Sequence, residues 1–306
     1  MAPIDVLVIG GCGVDTIVHV DELEIPPSDY LSVPPVRDYV AHAGNGAALG
    51  FHSLGLATTF VDYIGEDPAG DLIRARYQQV DLDYSWLPAP AGTPRSVNLV
   101  DRHGRRFSFY DGRHPDTLRL PTEFCRPFLA QARHVHVSHP GLAADLLPEL
   151  RRAQVTVSTD LHAWDGVDPY VHTYAFGSDA VFMSAATVRE EAPAVLRRIL
   201  ELGRARLAVA TDGADGCYVA TREEPTARHF PAIAPELPVV DSNGAGDAFM
   251  TAFMDAWLRH DPIEQCVLAG SLSGAFACTS HGTHERLISR ARLDELVRAR
   301  VGAVTG

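Results

Sequence analysis

The chain has 306 residues, 46% hydrophobic and 21% charged, the proportions of an ordinary globular protein long enough to bury a full α/β core. A net charge of −13 argues against a nucleic-acid partner, and the absence of any apolar run of about 18 residues argues against a membrane span. All 26 basic residues are arginine. Without lysine, Walker-type phosphate loops, protein-kinase catalysis and pyridoxal-phosphate chemistry become untenable, because each relies on that side chain.

In chain order, the first apolar run, 6–9, reads as a buried strand closed by Gly10 and Gly11. It has no basic segment or small-residue cleavage site before it, which argues against secretion. Gly11-x-Gly13-x-x-Thr16 lacks the third glycine of a dinucleotide fingerprint and is rejected as one. Residues 16–40 hold short alternating segments rich in proline. A helical pattern at 47–54, a strand at 58–63 and a helix at 70–79 come next. A hairpin is expected over 95–110, turning at 101–104. Strands are predicted at 134–138, 155–160, 180–184 and 207–211, with helices at 142–153 and 187–202. The C-terminal third is helical over 244–259, 262–279 and 290–301. Strands alternating with amphipathic helices imply parallel β-α-β units in a doubly wound sheet. The excursions at about 16–40 and 95–112 interrupt that rhythm and suit a small second sheet.

Five cysteines, Cys12, Cys125, Cys217, Cys266 and Cys278, are widely spaced and form no C-x-x-C, as reduced thiols of a cytoplasmic protein do. His134-x-His136-x-x-His139 lacks the carboxylate or cysteine that would complete a metal set, and reads as polar residues at a strand end. Arg113 is either a reach toward an anionic substrate group or an exposed structural arginine. Asp160-Leu161-His162 ends a strand where ligands gather in open α/β sheets.

The segment with most chemistry is Asp241-Ser242-Asn243-Gly244-Ala245-Gly246-Asp247, which runs directly into a helical pattern. Glycines there let the backbone turn closely, and the first helical N–H groups stay unpaired as an anion site. A carboxylate at the same helix start can take the proton of an attacking hydroxyl. On its own, Asp247 reads first as a first-turn acid stabilising the helix dipole.

This segment resembles the C-terminal signature of the ribokinase-like (PfkB) carbohydrate kinases, Asp-Thr-x-Gly-Ala-Gly-Asp, with Ser242 in place of threonine. Other motifs follow in the family's order. Ala43-Gly44-Asn45-Gly46-Ala47-Ala48 with Leu54-Gly55 is similar to Gly-Gly-Asn-x-Ala-Asn…Leu-Gly, departing at Ala43 and Ala48. Residues 61–70 resemble Val-Gly-x-Val-Gly-x-Asp-x-x-Gly and read as structural. Residues 209–216 look like the strand-to-loop Thr-x-Gly-x-x-Gly. Where the family has Asn-x-x-Glu, this chain has Ser184 and Thr187.

The resemblance implies a three-layer α/β/α sandwich, one kinase domain over 1–306, with a small β-sheet lid built from the two excursions. It implies ATP and Mg²⁺, with Asp247 as catalytic base and the backbone of Gly244, Ala245 and Gly246 as anion hole. Asp15, Gly44 and Asn45 would bind the acceptor, and Ser184, Thr211, Gly213 and Gly216 the nucleotide. Asp241, Asn243, Ala277 and Gly282 would hold a monovalent cation such as K⁺. The missing carboxylate at Thr187 should weaken metal organisation or shift it to Glu190 or Glu191. The expected acceptor is a sugar or sugar-like hydroxyl, and a homodimer would form through the lid. A nucleoside kinase and a weakly active sugar-sensing protein remain the alternatives.

Overall fold

The computed structural model describes residues 3–24, 27–102 and 104–304; residues 25, 26 and 103, which fall in the two excursions, lie outside the described residues. The first half contains β1 (Ile4–Ile9), β2 (Gly13–His19), β3 (Arg37–Ala41), α1 (Ala43–Ser53), β4 (Thr58–Ile64), α2 (Pro68–Gln79) and β5 (Asp83–Pro88). It continues with β6 (Arg95–Val100), β7 (Arg106–Asp111), α3 (Thr122–Leu129), β8 (Ala132–Val137), α4 (Leu147–Ala153) and β9 (Thr156–Asp160). The second half contains α5 (His172–Ala175), β10 (Ala180–Ser184), α6 (Ala192–Leu202), β11 (Leu207–Thr211), β12 (Cys217–Thr221) and β13 (Arg228–Phe230). Three long helices close the chain: α7 (Ala245–Leu258), α8 (Ile263–Ala277) and α9 (Arg290–Val304).

The main sheet has nine strands in the order β13-β12-β11-β10-β9-β8-β1-β4-β5, parallel from β11 to β5 with β12 and β13 antiparallel at one edge. Alternation along each strand assigns the two faces. Val6 and Val8 of β1 pack with α1, α2, α7, α8 and α9 through Phe51, Tyr77, Phe253, Cys266 and Leu293. Leu7 and Ile9 face α3 and α4 through Cys125, Leu129 and Leu150. Farther along the sheet, Val181 and Ala208 meet Leu196 and Ile199 of α6. The result is the three-layer sandwich of the ribokinase-like fold.

The local sequence explains the element ends that matter for the site. Asp67 caps α2 by accepting from Gly70 N at 2.8 Å, with Pro68 at the first helical position. The same carboxylate accepts from Thr93 N and Thr93 Oγ1, both at 2.8 Å, and so ties the helix start to the approach to β6. Predicted helices at 142–153 and 187–202 begin instead as short 3₁₀ turns, leaving α4 and α6 shorter at their N-terminal ends. Sequence patterning did not single out α3, β5, β12 or β13, which are short and lie at or toward the margins of the structure.

A second sheet of four strands, β3-β2-β6-β7, stands apart from the first. Strand β2 pairs antiparallel with β3 and parallel with β6, and β6 pairs antiparallel with β7. Chain direction reverses its side of the main sheet at β1: β4 lies on one flank and β8 on the other. Ligands of open α/β sheets bind at such a switch, outside the carboxyl ends of the strands.

Two buried histidines sit within the main sheet. His134 Nε2 and His136 Nδ1 each lie 2.8 Å from Ser158 Oγ. Burial lowers both to about 3, and lowers His139 to about 4. Unfolded histidine titrates near 6.5, so between about 4 and 6.5 the unfolded chain binds more protons and stability rises with pH. Asp62, raised to about 6 by burial, acts oppositely over part of that window but is a single group. The melting temperature should therefore fall on acidification from neutrality, and His136→Asn, which keeps an amide near Ser158, should flatten the slope.

Candidate active site

The crevice at the carboxyl end of β1 is built by close backbone approach. Asn45 N donates to Gly11 O at 3.2 Å, and a Cβ on Gly44 would stand 1.9 Å from Gly10 O. Below this loop, buried Asp62 accepts from Cys12 N and from Tyr63 N, each at 2.8 Å. The family pattern has glycine where Asp62 stands, and here its carboxylate props the turn that follows β1.

Asp15 lies on β2, buried, and accepts from Asn98 Nδ2 of β6 at 2.8 Å and from Thr283 Oγ1 at 3.4 Å. Its Oδ1 is 3.3 Å from His42 Nε2. Burial alone would raise this carboxyl, but the His42 hydrogen bond and charge, with Ser96, outweigh burial and leave it lowered. His42 precedes α1 with a left-handed φ of 71°, a strained state for a residue with a side chain. Contacts to Asp15, to Ser96 Oγ at 3.2 Å and to the Tyr110 ring hold it there.

Asn45 is fully buried in the first turn of α1, and its Nδ2 donates to Val40 O at 3.1 Å. That amino group also lies 2.9 Å from His284 Nδ1. His284 Nε2 in turn lies 2.8 Å from Asp247 Oδ2 at the head of α7. The adjacent residues Thr283 and His284 thus connect Asp15, Asn45 and Asp247. Sequence reasoning missed both, because a histidine that follows a helix in an irregular segment carries no local signal; its partners are 37 and 239 positions away.

The loop before α7 is equally ordered. Asp241 Oδ1 accepts from Asn243 N at 2.9 Å and Asn243 Nδ2 at 2.7 Å, while Val240 N and Asp241 N both donate to Cys278 O. Asp241 Oδ2 is buried with no hydrogen-bond partner among the described residues. Arg106 of β7 donates to Asn243 Oδ1, which joins the small sheet to this loop. Gly244 has φ 74°, and Ala245 N donates to Ser242 O at 3.3 Å. Gly246 has open space around it. Ala277 ends α8, and Gly282, at φ 93°, packs against Tyr39 of β3.

The residues expected to bind the nucleotide form a separate group. Ser184 and Thr211 are partners across β10 and β11, at the carboxyl ends of both strands. Gly213 opens a short turn, and Gly216 crosses β13 so closely that a Cβ would be 2.0 Å from Phe230 O. Thr187 spends its hydroxyl on Ala163 O at 3.0 Å, while Glu190 and Glu191 are exposed in the turn before α6. Asp160, at the end of β9, is raised by burial and further by the charge of Asp247, although His162 N donates to it at 2.7 Å. Arg113 is engaged by Asp111 at 2.7 Å. Among the described residues, no three His, Cys, Asp or Glu gather to hold a metal ion.

The model of the pfkB carbohydrate kinase family matches residues 4–290. The chain belongs to that family. It is a carbohydrate kinase. Acarbose 7(IV)-phosphotransferase of Actinoplanes sp. is 47% identical over 290 residues, covering 94% of this chain and 97% of that protein. The solved structure of a microbiome-derived acarbose kinase superposes with a TM-score of 0.90 at 41% identity, covering 97% of this chain and 100% of that one. At 19% identity, the nucleoside kinase of Methanocaldococcus jannaschii shares the fold with a TM-score of 0.77 over 98% of this chain. No described helix of this pfkB-family chain is long and apolar enough to cross a membrane.

Two family-motif glycines, Gly244 and Gly246, have different physical constraints. A Cβ on Gly244 would stand 2.0 Å from Thr283 O at a left-handed φ, whereas one on Gly246 would meet nothing within 4 Å. Gly244→Ala should lower the melting temperature by an amount equivalent to about 1–3 kcal/mol. Gly246→Ala should leave it unchanged or slightly raised, as thermal denaturation of the two variants would read.

Proposed function

We propose that this kinase transfers the γ-phosphoryl group of ATP to a hydroxyl of an acarbose-like oligosaccharide, with Asp247 as general base. The substrate class rests on the likeness to two acarbose kinases across nearly the whole chain. The observation that carries the mechanism is the bonded set at the switch point: Asp247 at a helix N-terminus, joined through His284 to buried Asn45, beside buried Asp15.

Asp15, Asn45 and the Gly44 backbone orient the acceptor hydroxyls, and Asp247 takes the proton as the hydroxyl oxygen bonds to phosphorus and the bond to the ADP oxygen breaks. The amides at Gly244–Gly246 stabilise the negative charge on the group in transit. Ser184, Thr211, Gly213 and Gly216 form the nucleotide side. The small sheet acts as the lid, with Arg106 and Tyr110 on its inner side, and limits water at the reacting centre.

Mg²⁺, when bound, would supply charge neutralisation at the phosphates, and with Thr187 in place of glutamate this chain would bring no carboxylate to it from that position. The buried, unpaired Oδ2 of Asp241 suits a monovalent cation such as K⁺, held also by the Asn243, Ala277 and Gly282 segments. The five free cysteines fit a cytoplasmic location. On the outer side of the lid, Val97, Phe107 and Phe109 are exposed and form the face for a second copy of this chain.

Incubation with ATP, Mg²⁺ and acarbose should yield ADP and a phosphorylated product one phosphate heavier, detected by mass spectrometry. Asp247→Asn should reduce the rate by at least about a thousandfold, since the base and its charge are lost together. Phosphorylation of fructose or a nucleoside in preference to acarbose would defeat the substrate assignment. Phe109→Arg should convert a lid-paired dimer to monomer in light scattering, and an unchanged mass would defeat that pairing.

A further inference from the structure

His284 lies at the meeting point of the two halves of the site, and its surroundings define the proton arrangement. Val40 O can only accept, so the part of the Asn45 amide that faces it at 3.1 Å is the amino group. That same Nδ2 lies 2.9 Å from His284 Nδ1, which must then be the accepting nitrogen of the ring. The ring proton is left on Nε2, 2.8 Å from Asp247 Oδ2, and is donated to the carboxylate.

The surrounding backbone makes room for this ring from two sides. A Cβ on Gly46 would stand 2.4 Å from His284 Nε2 and 2.7 Å from Asp247 Cγ, and a Cβ on Gly244 would stand 2.7 Å from His284 Cδ2. The imidazole is 1% exposed, and the Asp247 side chain 15%. His284 therefore has one orientation available, with Asp247 Oδ2 held by it. Asp247 Oδ1 has no hydrogen-bond partner among the described residues, and is the oxygen left for an acceptor hydroxyl.

We propose that His284 is a positioning residue that fixes the Asp247 carboxylate and couples it to Asn45, so that ordering of the acceptor side and presentation of the base are one event. The proposal rests on the reading of Asp247 as base and adds to it a directed chain, Asn45 Nδ2–H to His284 Nδ1 and His284 Nε2–H to Asp247 Oδ2. Preorganised carboxylates of this kind avoid reorienting during proton transfer.

Two substitutions separate the ends of the chain. In His284→Asn the amide lies where Nδ1 was, close to Asn45 but short of Asp247; in His284→Gln the longer amide reaches the Nε2 position. With ATP and acarbose, His284→Asn should lose about ten- to a hundredfold in kcat, the effect of one charge-assisted hydrogen bond. The KM for ATP should hardly change, and His284→Gln should recover most of the loss. Equal kcat in His284→Asn and the parent, a Gln variant no better than the Asn variant, or a loss confined to the KM for ATP would overturn the proposal.

A readout independent of turnover and of variant folding is the ¹⁵N spectrum of the imidazole in the parent protein, assigned through ring-to-backbone correlations. The expected tautomer carries its proton on Nε2; a proton on Nδ1 would overturn the proposal. Should the parent fail to phosphorylate acarbose, the substrate assignment falls, and the tautomer still decides the coupling. Should Asp247→Asn retain full turnover, the base assignment falls, and the role of His284 in presenting a base falls with it.

Discussion

Helices α1 and α7 pack almost backbone to side chain, and the geometry of the candidate site follows from that approach. A Cβ on Gly46 would collide with Asp247, and one on Gly50, a helical turn later, would stand 2.5 Å from Thr251 Oγ1. Residues four apart share a helix face, so Gly46 and Gly50 present one smooth strip to Asp247 and Thr251, which are themselves four apart. Glycine within a helix lowers its intrinsic stability by about 1 kcal/mol relative to alanine. Packing offsets that here: Phe51, Phe249 and Phe253 are buried in the layer these helices share. The close approach brings the two helix starts, with the positive ends of their dipoles, to the same crevice at the end of β1.

A second tie runs through the segment after α8. Thr283 reaches Asp15 on the small sheet, while His284 reaches Asn45 on α1 and Asp247 on α7. Arg106 adds a contact from β7 to Asn243 in the loop before α7. The small sheet and both helix starts are therefore joined by polar contacts that cross the crevice. Hydrogen bonds between buried groups are individually modest in net energy, but losing one partner leaves the other desolvated and unpaired. Asp15, Asn45 and Asp247 are consequently held through Thr283 and His284 in one bonded set.

The group at the ends of β10 and β11 is more loosely built. Ser184 and Thr211 sit side by side at strand ends, and Thr187 is occupied by a backbone carbonyl. The carboxylates nearest in sequence, Glu190 and Glu191, are exposed in a short turn. Ser184, Thr187 and Thr211 bring no carboxylate to these strand ends, whereas the crevice at β1 carries buried Asp15, Asp62 and Asn45. Asp62 occupies a position where the family pattern has glycine, and the amides of Cys12 and Tyr63 offset part of its cost of burial.

Much of the architecture is legible in the sequence because it depends on local periodicity. Apolar strand runs at 6–9, 180–184 and 207–211 alternate with helical patterns, and that alternation already implies a parallel sheet with two helical layers. The Gly-Ala-Gly-Asp segment announces its own helix start and, with Gly44-Asn45 and Thr211–Gly216 in order, the kinase family. Short marginal elements such as β5 and β13 escape because their apolar patterns are brief and broken by polar residues. Tertiary structure alone decided what lies against what: that Gly46 leaves space for Asp247, that His42 holds Asp15, and that His284 joins Asn45 to Asp247. Hydrogen bonds across such sequence separations depend on the packing of whole layers, which no local spacing of residue types encodes.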